Sequence, residues 1–99
     1  MKIVWTEKAE KHLSQIYDFI AEDSPYYASQ TIERIVEIAE NISEHPLKGR
    51  AVPEYRDNNI REVFMHPYRI IYYINEGRID ILSIIHEARN ISKKAPKKQ

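Results

Sequence analysis

Apolar positions change their period along this chain, and each change marks an element. Lys2 to Trp5 is a short strand candidate. From Ala9 the spacing lengthens: Ala9, Leu13, Ile16, Tyr17 and Ile20 form the stripe of an amphipathic helix. Thr6 stands where an N-cap is needed, and Glu7 and Glu10 suit the positive end of the helix dipole. Ser24-Pro25 ends this helix and starts the next, with serine as cap and proline at the first helical position. Ala28, Ile32, Ile35, Ala39 and Ile42 then share one face while Glu33, Arg34, Glu37 and Glu40 share the other, until His45-Pro46. So short a link between the helices predicts an antiparallel hairpin. Residues 46–59 carry two prolines, a glycine and many polar groups, and read as a long loop. β-prone runs follow over residues 60–64, 68–74 and 79–86, the last two joined by the turn Asn75-Glu76-Gly77-Arg78.

The predicted order is βααβββ, an α+β fold: an antiparallel sheet with an α-helical hairpin packed on one face. Alternation in the run 68–74 sends Tyr68, Ile70, Tyr72 and Ile74 toward the helices. Arg69, Ile71 and Tyr73 then lie on the other side, and Arg69 is expected to project from an uncovered face.

Ninety-nine residues suit one domain, read here as residues 1–89 with a lysine-rich tail at 90–99. The chain has no cysteine, which excludes disulfides and thiolate zinc sites and fits a reducing cytoplasm. Its apolar runs fall far short of the roughly 20 residues a membrane span needs, and its first ten residues lack a signal-peptide layout, so no membrane role is expected. The net charge is zero, yet residues 1–59 hold 7 basic against 11 acidic side chains, whereas residues 60–99 hold 8 against 4. That segregation sets up a basic end and directs attention to anionic or acidic partners.

The basic end carries the candidate chemistry. Cleaving RNA through its 2′-hydroxyl needs a base, an acid and cations for the charge that builds on phosphorus. Glu54 in the segment GRAVPE could serve as base and His86, at the end of the last run, as acid. Arg69 and Arg89 could clamp phosphate, with Arg61, Lys93 and Lys94 as further cations, since a guanidinium meets phosphate oxygens in a bidentate way. Each has a plainer alternative. Glu54 could pair with Arg56 or cap a turn, His86 could bond a neighbouring backbone group, and Arg89 could pair with Glu87 or Glu62. His12 and His45 lack a companion at metal-ligand spacing, and no HExxH, Gly-rich phosphate loop or G-x-S-x-G is present. No metal or other cofactor is expected.

The order of elements, the P-L-K-G-R-A-V-P-E loop, N-I-R-E-V, P-Y-R-I-I-Y-Y-I and the closing I-I-H-E-A-R together resemble the RelE/ParE superfamily of toxins from type II toxin–antitoxin pairs. The resemblance runs from Ile3 to Arg89. It implies a cytoplasmic protein that arrests growth once its labile antitoxin is lost, the antitoxin otherwise wrapping the toxin and masking its working surface. RelE-like members of this superfamily cut mRNA on the ribosome, and ParE-like members poison DNA gyrase without nuclease activity. Arg69 matches a catalytic arginine of the RelE branch, and Glu54 with Arg69 matches two of the three catalytic groups of a YoeB-like branch, His86 being the third. Against the RelE pattern, Arg61 is the only basic residue of I-R-E-V-F, and no aromatic follows H-E-A-R. The short lysine tail and H-x-x-R ending are closer to ParE. The expectation is therefore a ParE-like gyrase inhibitor, with a ribosome-dependent endoribonuclease using Glu54, Arg69 and His86 as the alternative. An inactive partner-binding module is the third possibility.

Overall fold

The computed structural model describes residues 1–88. Its elements run β1 (Lys2–Trp5), α1 (Glu7–Ala21), α2 (Pro25–Asn41), β2 (Arg50–Ala51), β3 (Ile60–Met65), β4 (Tyr68–Asn75) and β5 (Arg78–His86). The caps fall where the sequence puts them. Thr6 accepts the Ala9 N–H at 3.2 Å, and Ser24 accepts the Tyr27 N–H at 3.1 Å with Pro25 opening α2. Helix α2 stops at Asn41, short of the expected His45, and tight turns carry the chain on to Pro46.

The five strands lie in the order β1-β5-β4-β3-β2. β3, β4 and β5 are antiparallel neighbours, as expected. Two features differ from the sequence reading. β1 pairs parallel to β5, so the sheet is mixed, and the helical hairpin forms the connection that leads the chain away from β1. The segment expected to be all loop contributes β2, antiparallel to β3 with Arg50 opposite Glu62. The two residues of β2 are too few to register in any periodicity.

Two apolar clusters flank the sheet. On the helical side Ala9, Ile35, Ala39 and Ile42 meet Val63, Tyr68, Ile70, Tyr72, Ile79, Ile81 and Ile84. This is the predicted face of β4. The opposite side, expected to be open, carries a second buried cluster of Val52, Ile60, Ile71 and Leu82, with Tyr55, Tyr73 and Ile85 against it. The loop after β2 therefore lies over part of that face, because Val52 and Tyr55 are apolar and bury against the strands.

One irregularity matters for the site. Ile71 pairs with Ser83 and Tyr72 with Ile81, so Leu82 is an extra residue, a β-bulge in β5. The bulge reverses the alternation. Ile79 and Ile81 face the helices before it, and Ile84 faces them after it.

Candidate functional site

Gly49 anchors the segment that builds the site. Tyr72 Oη donates to the Pro46 carbonyl at 2.7 Å and accepts the Gly49 N–H at 3.1 Å, while Arg61 Nε donates to the Gly49 carbonyl at 2.9 Å. A Cβ at this position would collide with the Glu62 carbonyl and the Tyr72 hydroxyl, so only glycine lets the chain approach β3 this closely. Arg50 follows on β2 and is held beside Glu62. Pro53 and Glu54 come next, where the chain folds over the second face.

Around them lies a shallow depression of about 440 Å³ lined by Arg50, Pro53, Glu54, Phe64, Arg69 and Glu87. Its floor is an ion-pair relay. Glu62 on β3, with a fully buried side chain, receives Arg50 Nε at 2.7 Å on one oxygen and Arg69 Nε at 2.6 Å on the other. The outer edge of the same Arg69 guanidinium is bidentate to Glu54, with Nη1 at 3.2 Å and Nη2 at 3.1 Å. Arg50 in turn lies 5.3 Å over the Phe64 ring. The Arg69 hydrogen bonds hold the Glu54 carboxyl below its ordinary range against the opposing effect of burial, and Arg50 adds to the lowering. Burial works to lower the Arg69 value, but the hydrogen bonds it donates to both glutamates, with their negative charge, override it and raise it. Glu54 and Arg69 are therefore both charged at neutral pH.

Arg69 does not project from an open face. It lies on the expected side of the sheet, but only 8% of its side chain is exposed and its donors are engaged by two carboxylates. Loop residues absent from a strand-by-strand reading cover it. Glu54 is beside Arg69, so the structure brings these two candidates together. It does not bring them to His86. The Leu82 bulge turns His86 to the helical side, where its ring meets Tyr68 edge-on at 5.7 Å and its Nδ1 accepts the Ala88 N–H at 3.1 Å. There it lines a separate cavity of about 630 Å³ with His12, Gln15, Ile16, Phe19 and Tyr68. Arg61 is also apart from Arg69. Its neighbour on β4 is Tyr72, and it stitches the loop by donating to the carbonyls of Gly49 and Asn58. Arg89, Lys93 and Lys94 lie outside the described residues.

Glu62 is the central residue that the sequence reading missed as part of the site. A signal for it existed. β3 and β4 are joined by His66-Pro67 alone, with Met65 opposite Tyr68 and Phe64 opposite Arg69. That register makes Glu62 the diagonal neighbour of Arg69 on the same face, within reach of a long side chain.

Among the described residues, no group of three or more His, Asp or Glu is arranged to hold a metal ion, and no helix is long and apolar enough to cross a membrane. The site's means are therefore charge, hydrogen bonding and one exposed aromatic ring.

Comparison with known proteins gives this architecture its context. Toxin RelE2 of Caulobacter vibrioides is 35% identical over 89 residues, spanning 89% of this chain and 97% of that protein. Among solved structures, the chromosomal ParDE toxin–antitoxin system of P. aeruginosa superposes with a TM-score of 0.73 at 25% identity, covering 87% of this chain and 95% of that one. A chain of the RelBE2 toxin–antitoxin complex of Mycobacterium tuberculosis shares the fold, with a TM-score of 0.64 at 22% identity over 89% of this chain and 92% of that one. The family described as ParE toxin of the type II toxin–antitoxin system parDE matches residues 3–91, from within the first strand to beyond the last, and the chain belongs to that family.

Proposed function

We propose that this toxin arrests growth in the cytoplasm by ParE-like inhibition of DNA gyrase through a protein–protein contact, and that a cognate antitoxin masks its working surface. The observation that carries this reading is the engagement of Arg69. A guanidinium that stabilises a phosphoryl transition state needs donors open to phosphate oxygens. Here Glu62 and Glu54 occupy those donors, and the side chain is nearly buried. The candidate acid, His86, lines a different cavity on the far side of the sheet. A contact-based mechanism needs neither group free. Exposed aromatics on the helical hairpin support a protein partner: Phe19 on α1 and Tyr26 and Tyr27 on α2 are 72%, 73% and 63% exposed. The structural relative from P. aeruginosa, described as a ParDE toxin–antitoxin system, supports the antitoxin.

One observation favours the second reading, a ribosome-dependent endoribonuclease. Glu54, its carboxyl held ionised, stands beside an arginine in a single depression, as a base next to a phosphate-binding cation would. One experiment separates the two. Purified toxin is added to gyrase supercoiling reactions and, in parallel, to a translating extract whose message is mapped by primer extension. Loss of supercoiling with intact message is expected. Breaks in ribosome-bound message with unaffected gyrase would overturn the proposal, and silence in both assays would leave only the partner-binding module.

A further inference from the structure

The basic half of the chain leads one to expect a surface that receives acidic side chains. The depression beside Arg69 has the opposite character. Among the described residues its charged groups are Arg50 and Arg69 against Glu54 and Glu87 on the rim and Glu62 beneath, two positive charges facing three negative ones. Both guanidiniums are already committed to Glu62, and that carboxylate is fully buried beneath them. The rim carboxylates are the accessible ones: Glu54 and Glu87 expose 31% and 35% of their side chains. Among the described residues Glu87 is engaged at one oxygen, 3.1 Å from His66 Nδ1. Phe64 also lines the depression and is 46% exposed, with the Arg50 guanidinium over one face of its ring and apolar surface left for an aliphatic stem.

We propose that this depression is the receptor for a basic side chain, an arginine or lysine, carried by the antitoxin segment that covers the second face of the sheet. The inference rests on the antitoxin reading above. Charge complementarity selects the occupant. Among the described residues, an acidic side chain entering here would meet three carboxylates and find Arg69 fully engaged, with Arg50 bonded to Glu62 through Nε. A guanidinium would instead find lone pairs on the two rim carboxylates, Glu54 and Glu87. The volume of about 440 Å³ has room for one long side chain.

Two measurements on the full chain test this. In the first, ¹⁵N-labelled toxin is titrated with N-acetyl-arginine amide, with N-acetyl-aspartate amide and with inorganic phosphate. Saturable shifts at Arg50, Phe64 and Glu87 with the arginine compound alone are expected, and they should vanish in Glu87→Lys. Saturation by phosphate or by the aspartate compound would overturn the proposal. So would arginine binding that needs Lys93, Lys94, Lys97 and Lys98 changed to glutamine first, because the tail would then be the occupant.

In the second measurement, toxin is co-produced with the product of the adjacent gene, and the affinity of the purified complex is measured. Glu87→Lys should weaken it by about tenfold or more, as reversing a charge facing an opposite one does. Changing one basic residue of the partner to glutamate should restore it. Equal affinity for wild type and Glu87→Lys overturns the proposal, as does a loss confined to the gyrase contact. Failure of the adjacent product to bind even wild type sinks the antitoxin reading and the occupant with it. The arginine titration reports on the depression in either case.

Discussion

Replacing Arg69 with methionine should unfold this protein more readily, and how much more readily measures the ion-pair relay. The substitution keeps the stem and removes the charge. It leaves Glu62, fully buried, with Arg50 as its remaining counterion, and returns Glu54 to water. Breaking a buried pair typically costs about 3–5 kcal/mol. The lower end applies here, because Arg50 Nε stays 2.7 Å from Glu62 and Glu54 is exposed enough to rehydrate. With a urea m-value of about 1.5 kcal/mol/M, a loss of about 3 kcal/mol lowers the unfolding midpoint by about 2 M. Adding Glu62→Leu should recover most of that loss, since an apolar pair of similar volume commonly does as well as a buried ion pair. Arg50, whose side chain is 60% exposed, tolerates losing its partner.

The pH dependence follows with its sign. The folded-state value of Glu54 lies below its ordinary 4.5, so the Arg69–Glu54 contribution is present above that ordinary value and is lost as pH falls through the folded one. Wild type should lose stability across that acid window, and Arg69→Met should lose correspondingly less. A single Arg69→Met within 1 kcal/mol of wild type, or a double variant no better than the single, would refute the reasoning. Killing lost in an Arg69 variant reports on folding before it reports on catalysis, so the denaturation curve has to accompany every toxicity assay.

Other outcomes can be checked the same way. Tyr72→Phe removes a buried hydroxyl that both accepts from Gly49 and donates to Pro46; it should cost about 1–3 kcal/mol and raise amide exchange at Gly49. Gly49→Ala forces a methyl against the Glu62 carbonyl, and a loss of about 1–3 kcal/mol in thermal or urea unfolding is expected, with β2 displaced.

The helices were legible because several independent signals agreed at each boundary. Thr6 and Ser24-Pro25 supplied caps where the apolar period began, and the stripes supplied the buried faces. The β3–β4–β5 meander was legible for the same reason, with short turns that fix neighbours. What escaped was set by tertiary contacts. Parallel pairing of β1 with β5 leaves no local trace, and neither does a two-residue strand in a proline-rich loop. The separation of His86 from Glu54 and Arg69 comes down to a single residue. Simple alternation from Ile79 and Ile81 puts His86 on the side of Arg69, and the bulge at Leu82 sends it to the other. The charge state of the site escaped too, because counting arginines along the strands ignores the glutamates that fold over and between them.

The pairing of the first strand with the last has a consequence for synthesis. Lys2 lies against Arg78, and Thr6 Oγ1 donates to the Ile81 carbonyl at 2.7 Å, so the opening residues gain their partners only when β5 has been made. Until then a nascent chain has neither its central strands closed nor its helical hairpin seated, since α1 packs against β5. A ribosome partway through this message therefore carries a chain whose two ends cannot yet meet, and the fold is completed only when its last strand is available.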